Sequence, residues 1–120
     1  MMQRLTYTAM KALVAKKQSG EMHMCILDVR NADEVSEGAI PASVNVPLDQ
    51  LESALQLTAD EFRKKYSAPK PEVSDHVITY CLRGMRAERA ATTLHSSGYT
   101  NVDVYPGSWA EWSEHEKCTA

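Results

Sequence analysis

Apolar positions along the chain fall into two kinds of run. Met24 to Val29, Ser43 to Val46, Val77 to Tyr80 and Val102 to Tyr105 are short, rich in β-branched or aromatic residues, and bounded by polar or Gly/Pro positions, as strands are. The first of them lacks polar alternation, which predicts a strand in a parallel sheet covered on both faces. Between these runs apolar residues recur three or four apart. Thr6 is placed to cap a helix with the stripe Tyr7, Met10, Leu13 and Val14, left at Gly20. Asn31 to Glu37 predicts a short helix or turn capped by Asn31 and ended by Gly38, and Leu48, Leu51, Ala54 and Leu55 predict another helix. Thr58-Ala59-Asp60-Glu61 has the form of a capping box, followed by Phe62 and Tyr66 on one side. From Arg86 the helix formers Ala87, Ala90, Ala91 and Leu94 make one apolar face, stopped at Ser96-Ser97-Gly98. After the turn Pro106-Gly107, Ser108 is expected to cap a last helix that carries Trp109 and Trp112 as packing residues, with walling of the pocket at the strand end as the alternative for Trp109. Ser67 to Ser74, with Pro69 and Pro71 among charges, is the clearest loop. Strand followed by helix, repeated without an internal duplication, predicts one α/β domain over residues 1–120, a sandwich with a mostly parallel sheet.

The most informative stretch is Tyr80-Cys81-Leu82-Arg83-Gly84-Met85-Arg86, where a buried strand gives way within a few residues to a helix. Gly84 supplies the backbone freedom such a turn needs. A helix N-terminus leaves several N–H groups unpaired and carries the positive end of the helix dipole, so it is an anion site. Cys81 ringed by those N–H groups and flanked by Arg83 and Arg86 would have its thiolate stabilised. The same donors would hold an anionic substrate. At the end of the first strand, Asp28 is placed to orient a loop arginine or backbone N–H groups. Arg30 is placed to pair with Glu34 one helical turn on, in a structural role.

Composition narrows the partners. The 43% hydrophobic and 24% charged content is that of an ordinary globular chain, and a net charge of -3 supports neither nucleic acid nor a membrane surface as partner. An anion must be attracted locally by the loop. Cys25, Cys81 and Cys118 are odd in number and widely spaced, which argues against a disulfide framework and for a reducing, cytoplasmic setting. Cys25, with nothing basic adjoining it in sequence, reads as core. His115 and Cys118 stand three apart, but two ligands do not make a metal site, and no metal is expected. No apolar run is long enough to span a membrane. Arg4, Lys11, Lys16 and Lys17 without an acidic residue are also the composition of a mitochondrial transit peptide. The capped helix accounts for them, its lysines toward the C-terminal end where the dipole favours them, and a mitochondrial location stays open beside the cytoplasmic one.

Several separated motifs, in order, resemble the rhodanese family of sulfurtransferases from about Thr6 to Trp112. They are Leu27-Asp28-Val29-Arg30 with Glu34, the run from Gly38 to Pro47, Cys81-Leu82-Arg83-Gly84-Met85-Arg86, Gly98-Tyr99, and Tyr105-Pro106-Gly107-Ser108-Trp109. The insert from Leu51 to Tyr66 and the Cys-x-x-Gly-x-Arg loop look most like small single-domain thiosulfate sulfurtransferases, including those with glutathione as acceptor. Ala39, Ala42 and Ser108 depart from positions where the family often has His, Gly and Gly. The resemblance implies a three-layer sandwich with helices on both faces of the sheet. It implies Cys81 as nucleophile and Leu82, Arg83, Gly84, Met85 and Arg86 as the residues that bind a donor such as thiosulfate. A Cys81 persulfide would then pass sulfur to a thiol such as glutathione or thioredoxin, or to cyanide, without an organic cofactor.

Two other classes compete. Phosphatases and arsenate reductases of the dual-specificity kind use a His-Cys-x5-Arg loop; here Tyr80 precedes the cysteine and four residues separate Cys81 from Arg86, a smaller cradle. Non-catalytic rhodanese-like binding or regulatory modules usually lose the loop cysteine, which this chain keeps with both arginines.

Overall fold

The computed structural model describes residues 2–118, the side chain of Cys118 excepted, so the His115 and Cys118 pair falls partly outside the described residues. Four strands, β1 (Cys25–Asp28), β2 (Ser43–Asn45), β3 (His76–Tyr80) and β4 (Asn101–Val104), form one sheet in the order β2-β1-β3-β4. Every pairing is parallel. Six helices connect or flank them: α1 (Tyr7–Gln18), α2 (Ala32–Val35), α3 (Leu48–Gln56), α4 (Ala59–Tyr66), α5 (Met85–Ser96) and α6 (Ser108–Cys118).

The continuous hydrophobicity of the strands is explained by their position between two helical layers. Leu27, Val77, Val102 and Val104 face a core closed by Leu51 and Ala54 of α3, Phe62 of α4, and Ala87, Ala90, Ala91 and Leu94 of α5. Ile26, Ile78, Tyr80 and Tyr105 alternate to the other face, where Met10 and Val14 of α1 and Trp112 of α6 cover them. The α/β three-layer sandwich expected from the motifs is therefore present. Local start signals also act as read: Thr6 accepts a hydrogen bond from the Ala9 N–H, and Thr58 and Glu61 exchange the two bonds of a capping box. Residues 3–5 lie parallel to β4, with Leu5 N–H donating to the Val104 carbonyl and Val104 N–H to that of Gln3. Among the described residues no helix is long and apolar enough to cross a membrane.

The ion pair expected between Arg30 and Glu34 is replaced by a different one. Arg30 is 1% exposed and donates from Nε and Nη2 to the Asp28 carboxylate, at 2.9 and 2.6 Å. Its remaining donors reach the carbonyls of Gly38 and Glu34. The reason is geometric: Arg30 precedes α2 instead of lying on it, so the one-turn spacing does not bring it to the Glu34 carboxylate. Asp28 in turn accepts from the Tyr80 hydroxyl at 2.7 Å, and that hydroxyl accepts from the Ile40 N–H and meets Ser43 Oγ. Burial first, then the Asp28 charge, pushes the Tyr80 phenol up, so it stays a neutral donor. The C-terminal ends of β1 and β3 are thus tied to each other and to the start of β2 by one satisfied polar network.

A buried ion pair broken on one side leaves an uncompensated charge. Arg30→Met is expected to lower unfolding free energy by about 3–5 kcal/mol in urea titration, against about 1 kcal/mol or less for an exposed substitution such as Lys16→Ala.

Candidate active site

The C-terminal ends of β1 and β3 meet the start of α5 and the start of α6, and Cys81 sits where they converge. It follows β3 directly, is 2% exposed, and packs toward the core that α5 closes. Gly84 N–H points back at it, with 3.0 Å from nitrogen to Cys81 Sγ. Gly84 has φ +111°, and a Cβ there would stand 2.6 Å from the Pro106 carbonyl oxygen. Glycine is therefore required twice, by the backbone angle and by the close approach of the Tyr105 to Ser108 turn.

That turn and α6 form the back wall of the loop. Trp109 N–H donates to the Cys81 carbonyl and Ala110 N–H to the Leu82 carbonyl, each at 3.0 Å. With both carbonyls turned to α6, the trans peptides aim the N–H groups of Leu82 and Arg83 the other way. The N–H groups of Leu82, Arg83, Met85 and Arg86 have no hydrogen-bond partner among the described residues. The last two belong to the first turn of α5, whose dipole adds positive potential. The result is a cradle of backbone donors around a sulfur atom. Two surface grooves, of about 540 and 570 Å³, are lined by other residues.

The two arginines of the loop play unlike parts. Arg86 makes a two-pronged contact with Glu34 of α2, Nη1 to Oε1 at 2.6 Å and Nη2 to Oε2 at 2.8 Å. That pairing holds the Glu34 carboxyl down at about 2, with partial burial opposing it. Arg83 is exposed, and no hydrogen bond or ion pair among the described residues engages it. Met85 is 76% exposed at the lip. The structure thus keeps all six expected loop residues, 81 to 86, in one turn, with Arg86 given to a carboxylate and Arg83 unpaired among the described residues.

Sequence reasoning did not find two neighbours of the loop. Glu34 reaches Arg86 from 52 residues away in the chain, and no local pattern signals that pairing. Ser108, expected as a helix cap, has φ +58° and is fully buried; its Oγ accepts the Cys81 N–H at 3.1 Å instead of capping α6. The first turn of α6 is capped by the Cys81 and Leu82 carbonyls, so the serine is released from that duty. Trp109 lies over Gly38, where a Cβ would be 2.6 Å from its ring, and 5.2 Å from the Arg30 guanidinium. It packs on the network beneath the site. Cys25 is half-buried at the N-terminal end of β1, the opposite end of the strands from Cys81, and burial pushes its thiol up to about 11. Among the described residues no cluster of three or more His, Cys, Asp or Glu is placed to hold a metal ion.

Comparison with known proteins agrees with this geometry. Residues 9–115 match the family model for the rhodanese-like domain. The chain is 40% identical over 92 residues to the human thiosulfate:glutathione sulfurtransferase, covering 76% of this chain and 80% of the relative. It is 36% identical over 113 residues to the Saccharomyces cerevisiae protein of the same name, covering 94% and 79%. A solved human single-domain sulfurtransferase superposes with a TM-score of 0.85 at 34% identity, covering 95% of this chain and 97% of the other.

Two outcomes test the construction of the loop. Gly84→Ala is expected to cost about 1–3 kcal/mol of stability and to change the rate at which Cys81 is alkylated, since it displaces the N–H that faces the sulfur. Peptide-resolved iodoacetamide labelling beside a urea titration reads both, and wild-type values for the pair would show that the turn absorbs the methyl group. For Glu34, the folded-state value lies below the ordinary 4.5, so its contribution is full above that range and is lost as pH falls toward about 2. The urea midpoint of the wild type should therefore drop more than that of Glu34→Gln between about pH 5 and about pH 2.5. Parallel curves would mean the carboxylate contributes nothing to folding.

Proposed function

This chain belongs to the rhodanese-like family and is a sulfurtransferase, and from that premise we propose that it moves the outer sulfur of thiosulfate through a persulfide on Cys81. The observation that carries this reading is the Cys81 Sγ facing the Gly84 N–H at 3.0 Å inside a ring of open backbone donors. In the proposed first half-reaction the Cys81 thiolate attacks the outer sulfur of thiosulfate. An S–S bond forms to Cys81, the S–S bond of thiosulfate breaks, and its electron pair leaves with sulfite. The dianion and the departing sulfite both meet the N–H groups of Leu82, Arg83, Met85 and Arg86, which are fixed before substrate arrives and need no reorganisation.

Arg83 supplies the cationic charge for the donor in this scheme, because no carboxylate among the described residues pairs with its guanidinium. Arg86 is a positioning residue: its pairing with Glu34 fixes the first turn of α5 against α2, while its remaining charge favours anions at the rim. In the second half-reaction an acceptor thiolate attacks the outer sulfur of the persulfide, and the electron pair of the broken bond returns to Cys81 Sγ. We take glutathione as the acceptor, supported by the likeness to two relatives that bear it in their names. Thioredoxin and cyanide are the other acceptors to be compared. Cys25 is a poor rival nucleophile, since burial favours its neutral thiol and it stands at the opposite end of the strands.

Brief exposure of the purified protein to thiosulfate, followed by intact-mass measurement and peptide mapping, should show one added sulfur atom on Cys81. Glutathione should remove it, and Cys81→Ser should take up none while keeping its fold. Sulfur on Cys25, or none on reduced and folded protein, would overturn the assignment; sulfur that only cyanide or thioredoxin removes would overturn the choice of acceptor.

A further inference from the structure

Among the described residues, Ser108 is the one buried hydroxyl within reach of the Cys81 sulfur. Its Oγ lies 3.9 Å from Cys81 Sγ, accepts the Cys81 N–H at 3.1 Å and donates to the Tyr105 carbonyl at 2.9 Å. It is 0% exposed and stands at φ +58°, a conformation disfavoured for any residue with a side chain. Strain of this kind persists where the surroundings over-determine it, and it concentrates at functional sites. The hydroxyl has a single proton and two acceptors, the Tyr105 carbonyl and Cys81 Sγ. Rotation about its C–O bond moves that proton from one to the other without moving a heavy atom.

Resting on the Cys81 persulfide reading, we infer that Ser108 is a catalytic residue of the sulfur-return step: its O–H turns from the Tyr105 carbonyl to Cys81 Sγ as that atom takes back the electron pair. When the acceptor thiolate attacks the outer sulfur, the new S–S bond forms to the acceptor and the Cys81 bond to that sulfur breaks. The electron pair ends on Cys81 Sγ, which is the leaving group. No proton is transferred; the Ser108 O–H stays covalently whole and only changes its acceptor. Together with the Gly84 N–H, it gives the leaving thiolate two donors from two different elements, the turn before α5 and the start of α6. A thiolate of lower basicity leaves faster but attacks less strongly. Ser108 therefore speeds the discharge of the persulfide, while in its formation the larger thiolate fraction offsets the weaker attack.

The charged groups around the sulfur are Arg83 and Arg86 of its own turn, Glu34 of α2 bound to Arg86, and the Asp28–Arg30 pair at the end of β1. None of these bonds to the Ser108 hydroxyl, so its removal leaves their pairing in place. The test uses Ser108→Gly, in which a residue without Cβ accepts the positive φ, beside Ser108→Ala, which keeps a side chain there but no hydroxyl. Enzyme loaded with one sulfur on Cys81 is mixed with glutathione in single turnover, and loading by thiosulfate is timed separately. Both variants are expected to discharge about ten-fold more slowly, as loss of a hydrogen bond to a charged group implies, with loading changed about two-fold or less. The pH midpoint of iodoacetamide alkylation at Cys81 should move upward in both. Wild-type discharge and an unmoved alkylation midpoint in folded Ser108→Gly would overturn the inference, as would equal slowing of loading and discharge. If the wild type itself takes up no sulfur on Cys81, the persulfide reading fails; the alkylation midpoints then still decide whether Ser108 donates to the sulfur.

Discussion

Two backbone hydrogen bonds decide which way the Cys81 turn faces. The first N–H groups of α6 hold the Cys81 and Leu82 carbonyls, and because each peptide is planar and trans, the next two N–H groups must point into the cradle. A helix start ordinarily offers its open donors to solvent or to a ligand. Here two starts meet, and they divide the work: α6 uses its donors to orient the loop, and α5 keeps its donors open. The site is thus built from backbone more than from side chains. Donors fixed by peptide geometry do not have to be ordered when an anion arrives, and that is the condition under which such groups favour a transition state over a ground state.

Beneath the loop a second constraint sets where these helix starts can be. The Asp28–Arg30 pair is almost fully removed from water, a position in which desolvation consumes most of the Coulombic gain. Its justification lies in the number of elements it joins. Arg30 holds the carbonyls of Glu34 and Gly38, Asp28 holds the Tyr80 hydroxyl, and Asn45 donates to the carbonyls of Asp28 and Arg30. Three strands and the α2 segment are therefore registered at the sheet edge from which Cys81 emerges. Glu34 then carries that registration to Arg86 and α5. Trp109 closes the same network from α6, its ring against Gly38 and near the Arg30 guanidinium.

The fold was legible because its signals are local. Apolar runs of four to six residues, caps at Thr6 and Thr58, and the Ala87-Ala90-Ala91-Leu94 face each depend on neighbours within a few positions, and each appears in the structure within a residue or two of its expected place. The loop from Cys81 to Arg86 was legible for the same reason, since strand, turn and helix start are contiguous. What failed was partner choice. Arg30 and Glu34 have a spacing that suits a helix pair, yet Arg30 stands before the helix and turns back to Asp28, leaving Glu34 to Arg86. Ser108 has the composition of a cap, but the carbonyls that relieve it of that role come from residues 81 and 82. Side chains whose partners lie far along the chain obey the packing of the sheet, and no spacing rule reaches them.

The segment from Gln3 to Leu5 has a consequence outside catalysis. It lies along β4 as a short extra rung, anchored by bonds to Val104 and by the Gln3 N–H on the Asp103 carboxylate, while Arg4 contacts Glu88 on α5. Without it, β4 would present a bare row of N–H and carbonyl groups, a template on which another chain can add a strand. These few residues cover that row where they pair with Val104, the way a sheet edge is kept from templating a further strand. Trimming them or prising them loose would bare that row on the strand next to the one whose end carries Cys81.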